Sequence, residues 1–313
     1  MSDRFGVTVV GSVHSNLIAT APVMPSLGSS VLGTQFTLAP GGKAGNQATQ
    51  IARLGVHTWL VSSVGADPLG DIISEQLAAA HVDRSYLVRS ATLPTGASTI
   101  FAVGGEYASI IFPGAAGTLV NADLVAAIPA FQQSKFVLTQ LELGAELALD
   151  VMTYARQAGA ISVLNASPLV GFDIGSLQSV LESADILIVN RHEADVLLSH
   201  SSTAGGRAVD SAQRLHRQFK MQVVVVTCGA DGSVLVRGDA VVQQPAFPVE
   251  VVDSIGAGDA FLGALIAAWM GGAEDEHAVR SASAAGALAA SAAGAHASLP
   301  DRQALRSFLR EQD

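Results

Sequence analysis

The chain has 313 residues, enough for one large α/β domain or two smaller ones, and at 49% hydrophobic and 14% charged it can bury a large core. Its net charge of −10, with no basic run, argues against duplex nucleic acid or an anionic membrane surface as partner. Aromatics at 5% leave few platforms for stacking bases.

Met1-Ser2-Asp3-Arg4 runs straight into a strand-like segment, Val7 to Val10, without the regions of a signal peptide. Residues 13–38 carry no helical pattern and are dotted with Gly, Ser and Pro. Gly41-Gly42-Lys43-Ala44-Gly45-Asn46 then precedes a helix-like stretch, Gln47 to Leu54, closed by Gly55. The glycines let backbone approach a small ligand, and Lys43 and Asn46 offer directed hydrogen bonds; a plain loop with a helix start reads the same way. It is not a Walker A loop, because Ala44 follows Lys43 where Ser or Thr is needed. Thr58–Val64 reads as a strand and residues from about Pro68 to Ala80 as a helix.

Ala97–Val103 and Tyr107–Phe112 are strand-like runs separated by Gly104-Gly105-Glu106, which signals a hairpin. Together with residues 13–38 they would form a small accessory sheet, either a lid that excludes water or ordinary surface strands. Phe136–Leu141 is a strand ending at Glu142, followed by a helix from Ala145 to Gln157. Ile161–Leu164, Ile186–Val189 and Val223–Thr227 are short apolar runs between helical patterns, as expected of central parallel strands covered on both faces. The βα alternation predicts a doubly wound, mainly parallel α/β fold in one domain, with helices on both faces and a small β lid over approximately 13–38 and 96–113.

Asn190-Arg191-His192-Glu193 falls at the carboxyl end of a strand, where open α/β sheets bind ligands. Asn190 can contact phosphate and Glu193 can hold Mg²⁺ through water, or the pair can simply cap a helix. Thr227-Cys228-Gly229-Ala230-Asp231-Gly232 is a hairpin turn or a nucleotide-phosphate loop. Cys228 is the one cysteine, which excludes a disulfide framework and fits a reducing cytosol. The eight histidines show no metal-ligand spacing and read mostly as surface or capping residues.

Asp253-Ser254-Ile255-Gly256-Ala257-Gly258-Asp259 links a strand-like run, Phe247 to Val252, to a helix-like run, Ala260 to Met270. Such a turn exposes backbone N–H groups at a helix N-terminus, which attract an anion. Asp259 beside that anion site points to phosphoryl transfer: a cradle for the moving group and a base for the attacking hydroxyl. Ser281 to Ala297 is rich in small residues, either a tightly packed helix whose closing loop, Gly294 to Ser298, lies beside the Gly256 turn, or an Ala helix chosen for propensity alone.

Four of these motifs, in this order, resemble the ribokinase-like (PfkB) carbohydrate kinases: Gly41 to Ala48, Asn190-x-x-Glu193, Thr227 to Gly232, and Asp253 to Phe261. The similarity runs from Val7 to about Pro300. The resemblance implies that Asp259 is the base and that the amides of Gly256, Ala257 and Gly258 form the anion hole. It implies that Gly42, Lys43, Asn46 and Glu142 hold the sugar. It also implies that Asn190, Thr227, Gly229, Gly232 and Gly258 contact ATP, and that Glu193 helps place Mg²⁺. A monovalent cation, K⁺ in this family, would lie by Asp253, Ile255, Ala289, Ala292, Gly294 and Ser298, mostly on backbone carbonyls. The implied protein is a cytoplasmic enzyme for a small sugar, and such enzymes often dimerise through the lid.

The chain departs from the family where the acceptor is gripped. In Gly11-Ser12-Val13-His14-Ser15-Asn16, His14 stands for an Asn, and Asn16 for an Asp that holds two sugar hydroxyls. A neutral amide loses charge-assisted bonds, which are roughly twice as strong as neutral ones. An altered sugar, a sugar acid or a nucleoside is the acceptor this implies. Ser283 stands where these kinases often carry an Asn near the adenine.

Overall fold

A computed structural model describes residues 4–104, 106–198 and 207–312. The chain opens with β1 (Gly6–Val10), β2 (His14–Thr20), β3 (Gln35–Gly41), α1 (Lys43–Arg53), β4 (His57–Gly65), α2 (Pro68–Ala79) and β5 (Asp83–Ser90). A hairpin follows, β6 (Thr95–Val103) and β7 (Glu106–Gly114); Gly105 of its turn lies outside the described residues. Next come α3 (Asn121–Ala126), α4 (Ile128–Gln133), β8 (Ser134–Gln140), α5 (Ala145–Gln157), β9 (Ile161–Asn165), α6 (Ile174–Ser183), β10 (Ile186–Asn190), α7 (Arg191–Leu198), α8 (Ala208–Phe219) and β11 (Val223–Thr227). The chain ends with β12 (Ser233–Arg237), β13 (Ala240–Gln244), α9 (Ala257–Met270), α10 (Asp275–Ala290) and α11 (Arg302–Glu311).

Nine strands form one sheet in the order β13-β12-β11-β10-β9-β8-β1-β4-β5. Pairing is parallel from β5 to β11, and β12 and β13 fold back antiparallel. The central strands are apolar on both faces because both faces are covered. Ile186 and Ile188 of β10 and Val223 and Val225 of β11 pack on the side of α1, α2, α9 and α10, with Ile51, Leu77 and Leu265. Their neighbours Leu187, Val189, Val224 and Val226 pack on the opposite side with Leu177, Leu197 and Leu215 of α6, α7 and α8. A one-residue slip of either strand would leave these pairs on the wrong layers.

The second sheet has the order β3-β2-β6-β7, with β2 parallel to β6 and the other two pairings antiparallel. Both segments without a helical pattern therefore contribute to it. It joins the large sheet through a tight clasp. Asp67, the N-cap of α2, accepts from the Gly70 N–H at 2.9 Å, from the Thr95 N–H at 2.7 Å and from the Thr95 hydroxyl at 2.7 Å. The same Thr95 hydroxyl accepts from the Gly65 N–H at 2.9 Å, tying the end of β4 to the start of β6.

Several segments differ from the sequence reading. Phe247 to Val252 is not a strand: Pro248 interrupts it, Val251 and Val252 are exposed, and the run crosses extended from β13 to the Gly256 turn. Helix α1 starts at Lys43 rather than Gln47, with Gly42 as its N-cap. The small-residue helix starts earlier and ends sooner than its Ala run, since Asp275 and Glu276 suit a first turn. Its Ala284, Ala285 and Ala289 lie against Ala260 and Ala264 of α9, a close approach that larger side chains would prevent.

Candidate active site

The N-terminus of α9 is set by one glycine. Gly256 has φ +85°, and a Cβ there would stand 2.8 Å from the Ala295 carbonyl oxygen, so a side chain is excluded by both conformation and space. The first-turn amides of a helix lack intrahelical partners. The Ala257 N–H turns back to the Ser254 carbonyl at 3.3 Å, whereas Gly256 and Gly258 face an open cavity of about 430 Å³. A Cβ on Gly258 would meet nothing within 4 Å, so a ligand can approach its amide closely.

Asp259, 9% exposed, lies in the first turn of α9 and lines the same cavity. Its Oδ2 accepts from Asn46 Nδ2 at 2.9 Å and its Oδ1 from Gln47 Nε2 at 2.8 Å, both on α1. Burial pushes this carboxyl above the usual range and outweighs the Lys43 charge and the two amide bonds, with the negative charge of Glu142 adding to the rise. A carboxyl raised in this way is better matched to accepting a proton near neutral pH than an exposed aspartate is.

The cavity gathers residues from both sheets. Asn16 and His14, two apart on β2, share its face with Ser98 and Ile100 of β6 and Ile111 of β7. Gly42, Lys43 and Asn46 come from the start of α1 and Glu142 from the loop after β8. Glu142 accepts from the Lys43 backbone N–H at 3.0 Å and from the Ser12 hydroxyl, so the loop and α1 are locked together. Gly42 has φ +88°, and a Cβ would come within 2.5 Å of the Ser12 carbonyl oxygen. Asn16 is packed over Gly41, and its Nδ2 points to the Pro40 carbonyl at 3.4 Å.

Asn190, Glu193 and Thr227 line the far side of the cavity. Asn190 and Glu193 also form a reciprocal cap: the Asn190 N–H donates to Glu193 Oε2, and the Glu193 N–H to Asn190 Oδ1, each at 2.8 Å. Gly229 and Gly232 sit in the turn joining β11 to β12, which is a hairpin, and are not among the cavity-lining residues. Nor is Ser283, whose hydroxyl lies 3.3 Å from that of Ser233.

Asp253 ties the two loops of the expected cation site. Its Oδ1 accepts from the Ile255 N–H at 2.9 Å and its Oδ2 from the Gly294 N–H at 3.0 Å. Ile255 lines the cavity; Ala289, Ala292, Gly294 and Ser298 lie on or beyond the end of α10, beside the Gly256 turn. Among the described residues no group of three or more His, Cys, Asp or Glu side chains is placed to hold a metal.

Sequence reasoning assigned nothing to Gln47, Asn165 or Gln140. The first two meet Asp259 or the cavity through contacts 118 and 212 residues apart, which no local pattern carries. Of the histidines expected at the surface, His14 and His296 are buried.

A helix N-terminus open to an anion and a carboxylate beside it, in one cavity under a small sheet, define an enzyme of group transfer. The chain belongs to the pfkB family of carbohydrate kinases, whose family model matches residues 5–302. It is 30% identical to a ribokinase of Bacillus subtilis over 97% of this chain and 99% of that one. A deoxyribokinase of Salmonella typhi is 26% identical over 97% of this chain and 98% of that relative. The structure of an Arabidopsis thaliana ribokinase complexed with ribose and ATP matches with a TM-score of 0.85 at 27% identity, covering 97% of this chain and 98% of that one. The protein is thus a phosphotransferase with a sugar hydroxyl as acceptor, on a ribokinase-like fold.

Proposed function

We propose that the protein is an ATP-dependent, cytoplasmic kinase that phosphorylates the primary hydroxyl of a small sugar. The observation that carries this is the meeting of Asp259 with the Gly256 and Gly258 turn in one cavity. Asp259 takes the proton from the acceptor hydroxyl as that oxygen attacks. The amides at the N-terminus of α9 stabilise the negative charge on the moving group, and Gly42, Lys43, Asn46 and Glu142 would hold the sugar. ATP, when bound with Mg²⁺, supplies the phosphoryl group. Asn190 and Thr227, at the carboxyl ends of β10 and β11, would hold the nucleotide with Gly229 and Gly232 of the next turn and Ser283 of α10, and Glu193 would orient the metal through water.

Asp253, Ile255, Ala289, Ala292, Gly294 and Ser298 would offer oxygen donors only, mainly main-chain carbonyls. That chemistry suits a hard monovalent cation such as K⁺. Such an ion would keep the Gly256 turn in place from behind. The second sheet would act as a lid, its β2, β6 and β7 side chains covering the acceptor end. Exposed Phe36, Ile110 and Phe112 on that sheet support a homodimer built through it.

The neutral pair His14 and Asn16 at the acceptor end favours a substrate other than plain ribose; burial keeps the His14 imidazole below its ordinary pKa, against the pull of Glu142. ADP release measured with ribose, deoxyribose, hexoses, sugar acids and nucleosides, with and without K⁺, identifies the acceptor class. Binding of any of these without ADP release would instead mark a non-catalytic sugar-binding protein. Asp259→Asn is expected to lower turnover by roughly 10²- to 10⁴-fold, the usual share of a general base. Near-normal turnover of that variant would refute the assignment.

A further inference from the structure

Asp259 is held by a directed chain of side-chain amides that reaches back into the centre of the large sheet. Gln47 is fully buried and does not line the cavity, yet it touches three elements at once. Its Nε2 donates to Asp259 Oδ1 at 2.8 Å and to Asn165 Oδ1, at the end of β9, at 3.1 Å. Its Oε1 accepts from Gln140 Nε2, at the end of β8, at 2.6 Å. Asn165 Nδ2 in turn donates to the Ile188 carbonyl of β10 at 3.1 Å.

The chain has only one self-consistent direction. A carboxylate accepts and cannot donate, so the Gln47 amide must present its NH₂ to Asp259 and its oxygen to Gln140. Gln140 must then present its NH₂ to Gln47, and it does so although its own buried Oε1 is left without a partner. Turning Gln140 over would put two oxygens face to face. A buried polar atom left unsatisfied is uncommon and calls for a reason; here the reason is the bond made by the other half of the same amide. Each link polarises the next, so the bond at the carboxylate is strengthened by those behind it.

The two oxygens of Asp259 are therefore not equivalent. Oδ1 faces Gln47 and the protein interior, whereas Oδ2 lies beside Asn46, which lines the cavity. We propose that Gln47 is a positioning residue for phosphoryl transfer: it anchors Oδ1 and turns Oδ2 toward the acceptor hydroxyl as the proton-accepting atom. This rests on the reading of Asp259 as the general base. Gln47 touches no substrate and acts only through Asp259.

The test replaces Gln47 by Met, which keeps the volume and removes the donor. The charged groups acting on the Asp259 carboxyl, Lys43 of α1 and Glu142 after β8, are untouched. In the steady-state assay with the acceptor that supports ADP release, Gln47→Met is expected to lower kcat roughly ten- to a hundredfold, the worth of one hydrogen bond to a charged group. KM for ATP should stay within about twofold, since no nucleotide contact is altered. The acid limb of the kcat profile should move to higher pH, because a hydrogen bond to the charged form holds the pKa down. An unmoved acid limb overturns the proposal, whether kcat is unchanged or falls, since loss of packing alone leaves the limb where it was. If Gln47→Met does not fold, Gln140→Met breaks the chain one bond further back and should move the limb in the same direction by less; an unmoved limb there also overturns it. The Asp259 carboxyl carbon, followed by ¹³C NMR and assigned with Asp259→Asn, should titrate higher in either variant with no acceptor present. A protein that phosphorylates nothing would defeat the kinase reading and leave this titration to decide the role of Gln47.

Discussion

His296 shows how a single side chain behind the site can govern its stability. It is 7% exposed, its Nε2 lies 3.2 Å from the Thr49 hydroxyl, and Arg53 of α1 donates to the carbonyls of His296 and Leu299 at 3.0 and 2.7 Å. Burial, and then the Arg53 charge, push the imidazole down to about 4. Below pH 6.5 the unfolded chain binds a proton that the folded chain refuses, so stability falls as pH drops toward 4. The full effect is about 3 kcal/mol. Urea unfolding of wild type and His296→Gln at pH 7 and pH 5 should show the smaller acid loss in the variant. Gly258 is the complementary case. Since a Cβ there meets nothing, Gly258→Ala should melt no lower than wild type while losing most of its phosphoryl transfer, because the methyl stands where an anion would sit. Gly256→Ala, at φ +85° against the Ala295 backbone, should lose both, with stability down by about 1–3 kcal/mol in thermal melts.

Among the elements, what the sequence made legible follows from how each is buried. Strands β1, β4, β8, β9, β10 and β11 are buried on both faces and mostly apolar, and their runs stand out. Strand β5 does not, because Asp83, Arg84 and Arg89 on an edge half in solvent break the apolar pattern. Phe247 to Val252 misleads in the opposite sense: its apolar residues have no sheet neighbour, and the crossing to α9 merely passes over Phe308 with Phe247. The Asp259 turn was readable because its glycines and its acid are adjacent in the chain. The amides that orient Asp259 were not, since Gln47 looks like any other residue in the first half of α1. The closing loop after α10 is intermediate: its small residues were visible, but only Asp253 reaching Gly294 reveals what the loop supports.

On the scale of the molecule, the cavity is roofed on the side of His14 and Asn16 by a sheet that has little apolar cover of its own. Ile110 is 72% exposed and Phe36 65%, while Ser98 and Ile100 turn toward the cavity. A sheet so placed should open locally at lower cost than the nine-stranded one. Hydrogen exchange should therefore show β6 and β7 exchanging ahead of β9 and β10 without ligand, and slowing when sugar and a non-hydrolysable ATP analogue are both present. Equal exchange in all four strands would argue against a moving lid.

The clasp at Asp67 sets how such a motion must run. One carboxylate caps α2 and also grips both the amide and the hydroxyl of Thr95. Burial acts to raise its pKa, but the Thr95 and Gly70 bonds outweigh that and leave it low, so it stays ionised throughout the physiological range. The roof is not free to swing on residue 95, because opening that joint would break both Thr95 bonds to a carboxylate that α2 holds on the main body. Any tilt must be shared with α2 and the tip of β4, and heat should dissolve roof and body together, as a single calorimetric peak in the wild-type protein and as two in Asp67→Ala.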